Sequence, residues 1–294
     1  MRVQQICDDF FTIGDIAILQ KMIGNMGYDF SFRNHFVCRS VIMDNDKPVL
    51  LRIGASDDYA GVERALQEMD MSLLMPLEDH LRCSEIENWY PLLKDKTPYT
   101  RIYGELPPVE ELTENFSFPV FIKGSRQTDR HNRSKCIIED AVAYQELRSD
   151  WKKSRILSWQ KAAVREYVPL QTIDSESFPN MVPISYEFRL FYYMGKCMAY
   201  GPYWTMGTPY TLAESNYKAV MELSKWAADR LKVPFAAIDV AKTSDGEWTI
   251  IEVNDGQESG FVGINPLVLW KNIVEAAQSK KIGLELNDTA WKND

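Results

Sequence analysis

The sequence contains no C-x-x-C pair and no H-E-x-x-H run. Its five cysteines, Cys7, Cys38, Cys83, Cys136 and Cys197, are odd in number and widely spaced. A disulfide framework and a zinc site are therefore not expected, and a reducing cytoplasm is the expected compartment. The three histidines, His35, His80 and His131, are scattered, and no Ser-His-Asp or Cys-His signature of nucleophilic catalysis is present. A basic surplus is also missing. Lys and Arg number 33 against 42 Asp and Glu, a formal net charge of −9 with a pI near 5.1, which argues against bulk binding to nucleic acid phosphates. No apolar run approaches the length of a membrane span. The opening "MRVQQICDDFFTIGD" places acids where a signal peptide needs an apolar core.

What is present is an ordinary globular composition, with 45% hydrophobic and 26% charged residues over 294 positions. That suffices for one large domain or two ordinary ones. Residues 1–95 alternate short apolar runs with helical patterns. "VLLRIGA" (49–55) reads as a strand, and "DYAGVERALQEMDMSLLMPLEDHLR" reads as one helix. "DKTPYT" (95–100) marks a boundary. From about residue 118 the chain becomes strand-rich. "FPVFIKGS" is a strand, "RQTDRHNRSK" a polar loop and "CIIE" a second strand. "DAVAYQELRSDWKK" is a helix capped by Asp140. "KAAVREYVPL" is a strand ended by Pro169, and "QTIDSESFPNMVP" is loop. "SYEFRLFYYMGKCMAYGPYW" is a hairpin turned at Met194-Gly195-Lys196. "TLAESNYKAVMELSKWAADRL" is an amphipathic helix. "FAAIDVAKTSDGEWTIIEVND" is a final hairpin turned at Asp245-Gly246.

The final hairpin carries the clearest chemical signal. Glu252 and Asn254 interrupt the strand "IIEVND". By strict alternation they share a face with Ile250, opposite Ile251 and Val253. A carboxylate and an amide on an apolar strand are costly to desolvate unless they bind something. Asp239 ends the run "FAAID" thirteen residues earlier, on the facing strand. Oxygen ligands without His or Cys suit a hard cation such as Mg²⁺; the alternative is a solvated polar hairpin. Lys123 likewise interrupts "FPVFIKGS", either snorkelling to water or reaching for phosphate. The loop beyond it carries Arg126, Arg130, His131, Arg133 and Lys135, a local basic concentration in an acidic chain. Glu166 lies where "VREYVPL" runs into a hinge, whose backbone groups suit an adenine edge. Glu187 and Arg189 share one face of "EFRLFYY", and Arg189 suits planar recognition of phosphate or carboxylate. An ordinary surface pair is the alternative.

Taken in order, "FIKGS", "REYVPL", "EFRLFYYMGK", "AIDVA" and "IIEVND" resemble the ATP-grasp superfamily over about residues 96–265. The ends are similar to ATP-grasp proteins of phages and bacteria and, more distantly, to the cell-division-cycle ATP-grasp lineage with its E-x-R strand. The resemblance implies an α+β ATP-grasp fold over 96–294, with a lid subdomain at about 112–170, preceded by a small α/β pre-ATP-grasp domain over 1–95. It implies that Lys123 contacts ATP phosphates, helped by the basic lid residues Arg126, Arg130, Arg133 and Lys135. It implies that Glu166 and the backbone of Tyr167 and Val168 hold adenine, that Glu187 belongs to the same nucleotide site, and that Asp239, Glu252 and Asn254 hold Mg²⁺. Arg189 would face the transferred group. The chain departs from the family in having an arginine-rich rather than glycine-rich loop after Gly124. The family's second lysine has no clear match; Lys96 and Arg101 are candidates, with Arg101 preferred because "YTRIY" reads as a strand.

The activity implied is that of an ATP-dependent carboxylate–amine ligase working through an acylphosphate. Its partners would be ATP, an unidentified carboxylate and an amine. Two alternatives share the same residues: an ATP-binding assembly protein without ligase activity, and a phosphotransferase. "GPYWTMGTPY" (201–210), rich in aromatics, lines the acceptor site or serves as packing.

Overall fold

Short runs of β-branched, aromatic and leucine residues set the strands, and one or two turn residues between them set the hairpins. The computed structural model of the chain describes residues 7–41, 46–56, 58–128 and 131–289, with side chains up to 278. Strands β1 (Asp9–Ile13), β2 (Ile16–Gln20), β3 (Arg39–Ser40) and β4 (Val49–Arg52) form a first sheet in the order β3-β1-β2-β4. β2 and β4 run parallel, and every residue of both is buried, as strands covered on both faces require. Helix α1 (Tyr59–Gln67), whose first turn is capped by the Asp58 carboxylate, packs Val62 and Leu66 against Leu19 and Leu51 on one face. Phe11, Ile18 and Leu50 on the other face join the main core around Trp89 and Trp270.

The stretch expected as one helix over 58–82 is two. After α1 the chain runs extended, and Leu73 bridges Val49 beside β4. Pro76 then stands at the N-cap of α2 (Leu77–Ser84). Proline has no N–H to continue a preceding helix, and buried Met71, Leu74 and Met75 gain more against the first sheet than on a helix face. Helix α3 (Ile86–Leu93) follows.

A second sheet comprises β5 (Thr100–Tyr103), β6 (Val120–Gly124), β7 (Ile137–Ile138) and β8 (Ala162–Glu166), antiparallel throughout, in the order β5-β8-β6-β7. Around it lie α4 (Val109–Thr113), α5 (Arg133–Cys136) and α6 (Ala141–Trp151). Asp140 caps α6 by accepting the N–H groups of Val142 and Ala143, both at 2.9 Å. The loop after β6 is not wholly irregular: α5 occupies its end, capped by Asn132.

The segment 171–183, expected as loop, contributes β9 (Thr172–Asp174), which pairs with β10 (Ile184–Ser185). The third sheet joins β11 (Glu187–Tyr193), β12 (Lys196–Pro202), β13 (Phe235–Lys242) and β14 (Trp248–Asp255) in the order β12-β11-β13-β14. The β11–β12 turn places both Met194 and Gly195 at positive φ, the backbone of a tight hairpin. Helix α7 (Glu214–Leu231) turns Val220, Leu223, Ala227 and Leu231 into the core beneath this sheet, and α8 (Pro266–Thr289) adds Leu269, Trp270 and Ile273.

One local detail overturns the expected face of β14. Asp239 pairs with Glu252 but Val240 pairs with Ile250, so Ile251 is an extra residue. This bulge resets the alternation. Ile250 joins Val253 in the core, while Ile251 comes to line the same cleft as Glu252. Ile250 and Glu252 therefore do not share a face.

Candidate functional site

Two clefts flank β14. The first lies between the second and third sheets. Phe121, Ile137, Leu170, Val182 and Ile251 give it apolar walls, and Glu166 at the end of β8, with Tyr167 and Val168 just beyond, borders it. Its polar lining includes Lys123, His131, Arg165, Glu187 and Glu252. The second cleft lies between the first sheet, the loop after β6 and the turn after β14. It is lined by Ser56, Ser84, Arg126, Gln127, Trp159, Arg189, Asn254, Asp255 and Glu258, among others.

Lys123, 4% exposed on β6, forms an ion pair with Glu252 on β14. Burial alone would raise the Glu252 carboxyl, but Lys123 outweighs it, helped by Arg189 and His131, and holds it below its ordinary value. Arg189 and Asp239 are register partners on β11 and β13. Arg189 Nε donates to Asp239 Oδ1 at 2.8 Å and Nη2 to Oδ2 at 2.7 Å, while Nη1 donates to Gly260 O at 3.2 Å. Burial works against the guanidinium charge, and the two-pronged contact with Asp239 overcomes it; the pair is ionised. Glu187 is buried without a cation of its own. Burial and then Asp239 push its carboxyl up to about 8, against the Ser185 hydroxyl that donates to it at 3.0 Å.

Three residues that carry much of the site's geometry were not singled out from the sequence. Arg165 on β8 donates to Ile251 O at 2.7 Å, Thr97 Oγ1 at 2.6 Å and Thr100 Oγ1 at 3.2 Å, tying the second sheet to the third. Burial lowers it to about 10. Its signal was present, as the one charge inside the buried run "AAVR". Arg52 ends β4 fully buried, with Nη1 donating to Gln257 O at 2.8 Å and Ser259 O at 3.0 Å and Nη2 to Tyr28 O at 2.6 Å. Its guanidinium lies 3.7 Å from the centre of the Tyr28 ring. The third, His80, is fully buried and joins Asp255 to Arg126: Nδ1 lies 2.9 Å from Asp255 Oδ2, and Nε2 lies 3.2 Å from Arg126 Nη2.

The structure divides the residues read from the sequence. Lys123, Glu166, Tyr167, Val168, Glu187 and Glu252 line the first cleft. Arg126, Arg189 and Asn254 line the second. Asp239 lies beneath both, fully buried and engaged by Arg189. Arg101 is exposed on β5 and lines neither. Arg133 is half-buried and donates to Glu139 at 3.2 Å, and Lys135 borders a separate hollow with Arg155 and Asn180. Arg130 lies outside the described residues. Placing the 126–135 cations together on a polyphosphate is therefore not what the fold does with Arg126, Arg133 and Lys135. The loop turns Arg126 toward His80, and α5 carries the other two to the outer surface. The backbone N–H groups of Arg126 and Gln127 both donate to Gln160 Oε1 at 2.8 Å. A side chain thus organises the loop where a glycine-rich one would present bare N–H groups.

Among the described residues, no group of three or more His, Cys, Asp or Glu side chains is arranged to hold a metal ion. No helix among them is long and apolar enough to cross a membrane.

Comparison with known proteins finds no match among curated sequences. Among solved structures, the fold is similar to D-alanine–D-alanine ligase from Bacillus anthracis complexed with ATP. The identity is 16%, the match covers 83% of this chain and 84% of that one, and the TM-score is 0.55. It is also similar to an ATP-grasp RimK domain protein from Sphaerobacter thermophilus, at 15% identity over 78% of this chain and 80% of that one, with a TM-score of 0.52. Against the L-amino acid ligase from Bacillus licheniformis the identity is 14% over 71% of this chain, the TM-score is 0.49, and the chain spans 48% of that protein's length. The model of the ATP-grasp domain, R2K clade family 3, matches residues 110–273, more than half of the chain. With the α+β fold and the two clefts around β14, this places the chain in the ATP-grasp superfamily, as a member of R2K clade family 3.

Proposed function

We propose that this chain is an ATP-dependent carboxylate–amine ligase, with ATP in the first cleft and the carboxylate and amine meeting in the second. One observation carries the reading: β14 lines both clefts, with Ile251 and Glu252 in the first and Asn254 and Asp255 in the second. At about 3.3 Å per residue, the phosphate end of one ligand would lie within about 7 Å of the other. The flat apolar slot between Phe121, Ile137, Leu170, Val182 and Ile251 suits a purine, and the backbone of 166–168 supplies its polar edge. Lys123 would exchange Glu252 for the phosphates.

Glu252 and Asn254 offer oxygen donors at the junction, which fits magnesium shared with nucleotide phosphates. Asp239 has both carboxylate oxygens on Arg189 and would have to give up that contact to join such an ion. Magnesium, when bound, supplies charge neutralisation on the transferred phosphoryl group. The remaining work is positioning. A substrate carboxylate oxygen attacks the γ-phosphorus and ADP leaves. An amine nitrogen then attacks the acyl carbon of the acylphosphate, orthophosphate leaves, and the amine proton passes to a base.

The test is ADP release with Mg²⁺-ATP and pooled carboxylates and amines. Release that needs both pools supports the ligase. A phosphorylated product formed without amine makes the protein a phosphotransferase. Nucleotide binding without ADP under any pool makes it a binding protein.

A further inference from the structure

An amine that reaches the second cleft as its ammonium must give up a proton before its nitrogen can attack, and few groups there can take one. Arg126 and Arg189 are cations. Asp239 has both oxygens on Arg189. Asp255 is buried and accepts from Gln257, through the backbone N–H at 2.8 Å and the side-chain amide at 3.1 Å, with His80 Nδ1 at 2.9 Å. Glu258 is the acid left over. Its Oε1 accepts the Ser56 N–H at 3.2 Å, and it makes no ion pair among the described residues. Its backbone is fixed from both sides, because Arg52 holds Gln257 O and Ser259 O. Glu258 also lies on a second hollow, bordered by Tyr28, Thr205 and Val262 and by the exposed residues Ile23, Asn25 and Gly27. Three residues line both the second cleft and this hollow, namely Ala55, Glu258 and Gly260, and of these only Glu258 has a side chain that titrates.

We propose that Glu258 is the base of the ligation, taking a proton from the incoming amine in the second cleft and passing it to water through the neighbouring hollow. The assignment rests on the ligase reading and names the group that acts on its amine. One proton of the ammonium moves to a Glu258 oxygen and leaves the nitrogen its lone pair. The nitrogen forms the C–N bond as the acyl C–O bond breaks, and orthophosphate departs with that electron pair and the second proton. Glu258 then returns its own proton to water. The groups facing Glu258 suit this cycle. Burial and then Asp255 push its carboxyl up to about 7, against His80, the Ser56 N–H and Arg126. Tyr28 and Tyr59, which also feel Glu258, are raised by burial and stay neutral. A base whose proton affinity sits near the working pH both accepts and releases readily.

The experiment compares two nucleophiles on the full chain with Mg²⁺-ATP and pooled carboxylates. Pooled primary amines are ammonium ions at neutral pH, whereas hydroxylamine is already largely unprotonated there and needs no base. ADP release is followed with each, and the hydroxamate by its colour with ferric ion. Glu258→Gln is expected to lower amine-dependent release by about 10²-fold or more, while hydroxylamine-dependent release stays close to the parent's. In the parent the amine-dependent rate should level off above about pH 7; in the variant it should keep climbing with pH as free amine accumulates. Equal losses with both nucleophiles would make Glu258 a structural residue and overturn the base, as would an unchanged rate with amines. Release from the parent with hydroxylamine alone overturns the base and leaves the ligase reading standing. No release with either nucleophile overturns the ligase reading, and the base with it.

Discussion

Lys123 and Glu252, 129 residues apart in sequence, are joined by an ion pair that bridges the second and third sheets across the first cleft. Without nucleotide, each charge compensates the other. Losing one partner strands the other in a largely dehydrated place. Lys123→Ala and Glu252→Gln should each lower stability, by up to about 3–5 kcal/mol for a buried pair. Lys123→Met combined with Glu252→Gln should cost less than the sum of the single changes. Urea denaturation of the singles and the double measures this; additive losses would mean the two charges do not act on one another.

Nucleotide should compete for the same lysine. Mg²⁺-ATP is expected to bind Glu252→Gln more weakly than the parent, and Lys123→Ala more weakly still. Calorimetric titration decides, and equal affinities in all three proteins would remove both residues from the nucleotide site.

Arg189 and Asp239 form a more deeply buried pair, held by two parallel hydrogen bonds. Lysine cannot reproduce that fork. Arg189→Lys is expected to lower stability by several kcal/mol, at most about 5. A matched apolar pair, Arg189→Leu with Asp239→Leu, should recover much of the loss. An unchanged denaturation midpoint in Arg189→Lys would show that the second hydrogen bond is energetically silent.

Glu187 gives the molecule a pH signature. Its carboxyl is raised to about 8 by burial and Asp239, against about 4.3 in an unfolded chain. Between these values the folded state holds a proton that the unfolded chain has released. The group's contribution is therefore fully present below about pH 4 and is lost as pH rises to about 8. Glu187→Gln should remove that decline. The variant's thermal midpoint is expected to gain on the parent steadily from pH 5 to pH 8.5; a constant gap would show that Glu187 does not titrate in this window.

Gly124 ends β6 where a side chain has no room. A Cβ there would collide with Gln160 Oε1 and lie 2.8 Å from Gln127 O. Gly124→Ala should lower stability by about 1–3 kcal/mol and speed hydrogen exchange at the Arg126 and Gln127 amides. Gln160→Ala removes the side-chain obstruction but leaves Gln127 O, and it also removes the acceptor for those amides, so the double variant should regain only part of the stability and none of the protection. Protection in the double variant equal to the parent's would show that Gln160 does not organise the loop.

Much of this could be read directly from residue types. The Asp140 cap, the Met194-Gly195 turn and the Asp239–Glu252 pairing follow from local rules in which one or two residues decide. Three things did not. The bulge at Ile251 depends on how β13 and β14 settle against each other, and period-two alternation carries no sign of an inserted residue. Arg126 was grouped with its basic neighbours because charge was read along the chain. In the fold, His80, 46 positions earlier, decides where it points. Arg52 and Arg165 are single charges in apolar strands, and only tertiary contacts reveal that their partners are backbone carbonyls and threonine hydroxyls.

The hydrogen bonds by which Arg52 holds the turn after β14 go to main-chain oxygens, those of Gln257 and Ser259. Such a grip is blind to side-chain identity. Position 258 can therefore be exchanged by mutation while the path of the turn stays as it is. An anchor of this kind separates the shape of the cleft from its chemistry, so descendants of this sequence can change what they accept at the rim one residue at a time, without first relearning how to fold.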